Sequence, residues 1–114
     1  MTDPDGRSTP VDLLAPQGSG PLWGMASADL NATLLAWPAG HMVAEHRNDT
    51  LDVLVVVLEG DGVAVLNGEQ FPLSAGHALL IVTGAVRSIR AGVAGIRYLS
   101  IHRRRAPLQI EPLG

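Results

Sequence analysis

Short apolar runs, broken by glycine at intervals of roughly 8–12 residues, constrain this chain more than any other feature. From Leu22 onward nothing sustains helical periodicity for three turns. The expected strands are residues 32–37, 41–47, 53–58, 63–66, 70–73, 78–82, 86–90 and 97–102. The breaks between them include Pro38-Ala39-Gly40, Gly60-Asp61-Gly62, Asn67-Gly68, Ala75-Gly76, Thr83-Gly84 and residues 92–95. Asn67-Gly68 is the strongest local signal, because a type I′ hairpin turn needs positive φ at both central positions. This rhythm predicts an all-β fold, an antiparallel sandwich or barrel. Residues 53–58 are apolar at every position. One face of that strand therefore fills a lumen, and Leu54, Val56 and Leu58 on the other need cover from a second layer or subunit.

A chain of 114 residues is the size of one domain. Its first twenty residues hold three prolines and three glycines. They read as an extended or partly docked arm (1–20), anchored by Val11, Leu13 and Leu14, ahead of a barrel at 21–114. With 46% apolar residues the chain can build a core. The sequence contains neither lysine nor cysteine, which excludes Schiff-base, thiolate, disulfide and zinc-ribbon chemistry. Eleven acids against eight bases, with only 4% aromatics, argue against a nucleic-acid partner. No run approaches the ~18 apolar residues of a membrane span. The start, MTDPDGRSTP, is acidic and polar where a secretory signal would be basic and then apolar. A soluble cytoplasmic protein is expected.

Gly40, His46, Asn48, Val53 and Gly60 occupy the positions where the first motif of the cupin family carries Gly, His, His, Glu and Gly. Gly76, Val82, Gly84, Arg87 and Ala91 stand where the second motif carries Gly, Pro, Gly, His and Asn. Over about residues 30–105 the chain resembles small single-domain bacterial cupins in its glycine and strand framework. The resemblance implies a jelly-roll β-barrel and a homodimer. It does not supply a function, because this fold hosts oxygenases, isomerases, epimerases, storage proteins and sensors.

The resemblance also implies a luminal site, and there the residues depart from the family. Cupins present imidazoles and a carboxylate to a transition metal, and only His46 keeps its expected ligand. Asn48 offers a neutral carbonyl oxygen, Val53 offers nothing, and Arg87 brings a permanent positive charge with no lone pair for a metal. No cofactor is expected. The alternative is a divalent transition metal on a non-standard site of His46 with His102. Strand alternation turns Asp52 outward, and the odd spacing from His41 to His46 puts those two on opposite faces.

Without a metal, His46, Asn48 and Arg87 point into an apolar lumen walled by Val53, Val55, Val57 and Ile89. Tyr98 lies on the last strand and His102 ends it. A few convergent polar groups in an apolar cavity describe a small-molecule site, and a guanidinium fork suits a carboxylate or phosphate. The expected ligand is an anionic or carbonyl-bearing metabolite bound by His46, Asn48, Arg87, Tyr98 and His102. His46 and Arg87 would be the catalytic pair of a metal-independent isomerase, lyase or cyclase. Two further readings stay open: a non-catalytic sensing barrel, and an Arg87 paired internally with Asp52 or Glu45. Arg103-Arg104-Arg105 reads as a solvated or salt-bridging tail, and Trp23 and Trp37 as packing residues. No serine sits in a nucleophile-elbow context.

Overall fold

The computed structural model of the chain describes residues 9–104. Its strands are β1 (Gly20–Ala26), β2 (Leu30–Trp37), β3 (Met42–Arg47), β4 (Val53–Leu66), β5 (Glu69–Ser74), β6 (Ala78–Ile81) and β7 (Val86–Arg103). Every pairing is antiparallel. The described residues contain no helix, hence none long and apolar enough to cross a membrane.

β4 and β7 form the spine, paired from Val53 with His102 to Leu66 with Arg87. The first half of β4 and the last half of β7 lie in one wall with β6, β2 and β1. Their other halves lie in the opposite wall with β5 and β3. One ribbon thus serves both walls of the barrel. This corrects the expected separation of 53–58 from 63–66 and of 86–90 from 97–102. The glycine segments Gly60-Asp61-Gly62 and 92–95 are bends within strands, not turns between them. Register shifts fall between Val57 and Glu59 and between Gly60 and Gly62, and Gly60 and Gly95 have φ of 79° and 73°. A Cβ on Gly60 would collide with the carbonyl of Gly95, so only glycine allows the two backbones to approach this closely.

β1 has no counterpart among the expected strands, since Pro21 and Gly24 break its alternation. It forms as an edge strand on β2, with an irregularity between Pro21 and Trp23, and an edge is where a strand tolerates proline. The hairpin at Asn67-Gly68 forms as expected, with φ of 49° and 85°. Asn67 then ties the hairpin to the start of β7, its Oδ1 accepting from Val86 N at 2.9 Å.

Alternation along β4 sends Val53, Val55 and Val57 inward, where each is 3% exposed or less and packs with Ile81, Ile89 and Tyr98. On the outer face Met25, Ala32, Ile101, Leu54 and Leu80 sit opposite one another across five strands. Directly paired residues share a face, so this is a continuous apolar row. The arm contributes at the other end of that wall, where Leu13 O accepts from Arg97 Nη1 at 3.1 Å; Leu14 is exposed, and residues 1–8 lie outside the described residues. Of the arginine run, Arg104 donates to Asp29 O and to Ser27 O, and Arg105 lies outside the described residues.

Candidate functional site

The last half of β7 brings Tyr98, Ser100 and His102 to the inner face, because they alternate along the strand opposite Val57, Val55 and Val53. The first half of β7 brings Arg87 opposite His46 of β3. Between these lies a cavity of about 240 Å³ whose wall includes Leu35, Trp37, Val55, Ile81, Ile89 and Tyr98. It opens past His46, Val53, Arg87 and Ser100 into a wider mouth of about 470 Å³ that also includes Asn48 and His102. The five residues singled out in the sequence therefore lie along one channel: Tyr98 inside, His46 and Arg87 at the neck, Asn48 and His102 at the mouth.

Arg87 Nε donates to His46 Nε2 at 3.1 Å. Guanidinium nitrogens only donate, so His46 Nε2 must carry the lone pair and Nδ1 the proton. The Nδ1–H then donates to Ala44 O at 3.1 Å. At His102, Nδ1 lies 2.8 Å from Arg103 O and donates to it. Its Nε2 is therefore an acceptor in the neutral ring, with no partner among the described residues. The free imidazole lone pair at the mouth thus belongs to His102, whereas that of His46 is engaged by Arg87. Sequence spacing shows neither tautomer, since both are set by neighbouring carbonyls.

Among the described residues no carboxylate lies in ion-pair range of Arg87. Asp52, one of the two internal partners open to it on sequence grounds, faces outward and accepts from Thr83 N at 2.8 Å and Thr83 Oγ1 at 3.0 Å. These bonds hold its carboxyl below the usual range. Partial burial lowers the Arg87 pKa from its ordinary value, and the group stays charged at neutral pH. Its terminal Nη groups have no partner among the described residues. The other mouth arginine, Arg47, is paired with Asp49 at 2.9 Å. Asn48 uses its Oδ1 in the turn that follows β3, accepting from Thr50 N, Thr50 Oγ1 and Leu51 N at 2.9–3.1 Å. Its amide N–H groups are what it can offer a ligand.

A resident metal does not fit this donor set. The one imidazole at a family ligand position has its Nε2 lone pair in a hydrogen bond to a cation, and Asn48 Oδ1 is spent. No group of three His, Asp or Glu side chains converges among the described residues. His41, expected to open the strand at 41–47, instead precedes β3 and stacks on Trp37 with ring centroids 4.3 Å apart. His77 accepts from Ser74 N in a turn.

Tyr98 is 4% exposed, and its hydroxyl accepts from Trp37 Nε1 at 3.1 Å. Burial pushes its pKa up, against smaller downward pulls from the Trp37 bond and the Arg87 charge. Below the ordinary tyrosine value, about 10, both folded and unfolded chains keep the proton. Above it the unfolded chain ionises first, so stability falls as pH rises towards the folded-state value. The chain has one tyrosine and no lysine or cysteine, so little else titrates there. The urea midpoint is expected to drop between about pH 9.5 and 11 in the native protein and to stay nearly flat in Tyr98→Phe. An equal drop in both would refute the assignment.

No family profile matches the chain, and no curated protein matches it. Solved structures do. BH2720 from Bacillus halodurans superposes with a TM-score of 0.75 at 20% identity, covering 96% of this chain and 90% of that one. A cupin protein from Bacteroides fragilis, BF4112, gives 0.63 at 26% identity over 71% and 70% of the two chains. A salicylate 1,2-dioxygenase from Pseudaminobacter salicylatoxidans gives 0.62 at 24% identity over 66% of this chain, which spans only 21% of that protein. The bent two-wall barrel, the glycine framework and these likenesses together make the chain a small domain of the cupin superfamily.

Proposed function

We propose that the barrel binds a small organic anion or carbonyl-bearing metabolite in its lumen, held by Arg87 at the neck and without a resident metal. The observation that carries this reading is a partly buried guanidinium that lines an apolar cavity and whose Nη groups have no carboxylate partner among the described residues. Partial desolvation of an unpaired cation carries a cost, and an oxyanion relieves it with two charge-assisted bonds. The dioxygenase neighbour is named for salicylate, itself an organic anion. Proton transfer beside a carbonyl is the chemistry these groups serve, as in an isomerase, lyase or cyclase. Arg87 stabilises a developing enolate, and His102 Nε2 accepts the proton more readily than the engaged His46 Nε2. Thermal stabilisation by a panel of carboxylates and carbonyl compounds tests binding, and turnover of each binder separates an enzyme from a sensor. A panel that leaves the melting temperature unmoved by any compound refutes the reading.

Assembly is a second proposal, carried by the outer apolar row. Leu54 and Leu80 are 37% and 56% exposed and face each other across β4 and β6. The margin of this face carries both signs, with Asp52 close enough to feel the charge of Arg103. A two-fold axis along the seam between β4 and β7 would set Asp52 of one protomer over Arg103 of its partner, so the surface suits a second copy of itself. Sedimentation is expected to show a dimer at tens of micromolar and a monomer for Leu80→Glu. A native monomer with this face open to solvent would contradict it.

A further inference from the structure

The channel sorts its ligands by shape as well as charge. Resting on the reading that Arg87 holds an anion, we infer that the ligand is a monocarboxylate with a compact apolar body, inserted body-first so that its carboxylate stays at the neck. Charge count is the first argument. Arg47 is neutralised by Asp49, so Arg87 is the one cation at the neck without an ion pair among the described residues. A single guanidinium matches a carboxylate fork, whereas a phosphate dianion would keep an uncompensated charge beside an apolar wall.

The inner wall is the second argument. Beyond Arg87 the cavity is bounded by Leu35, Val55, Ile81, Ile89 and the ring of Trp37, with hydroxyls only from Tyr98, Ser88 and Ser100. The Tyr98 oxygen is already an acceptor for Trp37, and no polar or charged residue is fully buried among the described residues. A polyhydroxy acid would surrender water at more hydroxyls than these groups replace. An apolar ring surrenders nothing and gains burial. Size agrees, since an apolar cavity of about 150 Å³ accepts benzene and the cavity here is about 240 Å³. That leaves room for one six-membered ring and a short substituent. The wide mouth, by contrast, is polar, so the carboxylate at the neck keeps a polar side towards solvent.

Calorimetric titration of the whole protein with benzoate, gluconate, inorganic phosphate and neutral benzyl alcohol tests this. Benzoate is expected to bind at least tenfold more tightly than each of the other three, and Arg87→Gln, which keeps much of the side chain's bulk, is expected to remove that advantage over benzyl alcohol. Gluconate or phosphate binding as tightly as benzoate, with either lost in Arg87→Gln, would overturn the apolar-body inference and leave the anion reading standing. Failure of every anion to bind at about 10 mM would overturn both.

Discussion

An Arg87→Ala variant is expected to bind the proposed luminal anion roughly 10- to 150-fold more weakly, the equivalent of about 1.5–3 kcal/mol for a hydrogen bond to a charged group. The loss is specific to affinity. Arg87 has no carboxylate partner among the described residues, and the group it abandons, His46 Nε2, belongs to an exposed side chain that water can solvate. Melting temperature without ligand should therefore change little. Calorimetric titration of both proteins with the same carboxylate checks the expectation, and equal affinities would mean that the guanidinium does not touch the ligand. The same variant frees the His46 lone pair, so a gain of metal affinity would follow from the same geometry.

Gly60→Ala is expected to be the most damaging single substitution in the spine, costing roughly 3–5 kcal/mol. Two effects add. Gly60 has φ of 79°, a left-handed conformation that costs an L-residue about 1–2 kcal/mol. The added Cβ would also occupy the space of the Gly95 carbonyl, which belongs to the paired strand and cannot swing aside as a side chain tip could. Gly84→Ala separates the two effects, because Gly84 has φ of 88° but its new methyl group would meet no atom within 4 Å. It should lose only the backbone contribution. Thermal melts are expected to fall by more than about 10 °C for Gly60→Ala and by clearly less for Gly84→Ala. Equal losses would show that the bend is held by backbone preference alone.

These glycines also mark where sequence reading met its limit. Alternation and Asn67-Gly68 made the barrel legible, since period-two burial and a φ-restricted turn are local signals. Gly60-Asp61-Gly62 carries the same composition as a turn, and only the register of β4 against β7 shows that the chain bends there and continues. β1 was hidden for a related reason: an edge strand with proline and glycine lacks alternation and depends on β2 for its hydrogen bonds. At the site, the placement of Arg87 and His46 on one neck followed from the motif framework. Their hydrogen bond, the capping role of Asn48 Oδ1 and the free Nε2 of His102 did not, because each depends on a group brought near by the fold.

Metal content of the tag-free protein, purified without chelator, tests the central claim most directly. An anion site built on Arg87, with His46 Nε2 already donated to, predicts transition metal well below one equivalent, unchanged in His46→Ala. One equivalent of manganese, iron, nickel, copper or zinc that survives purification and is lost in His46→Ala would contradict it.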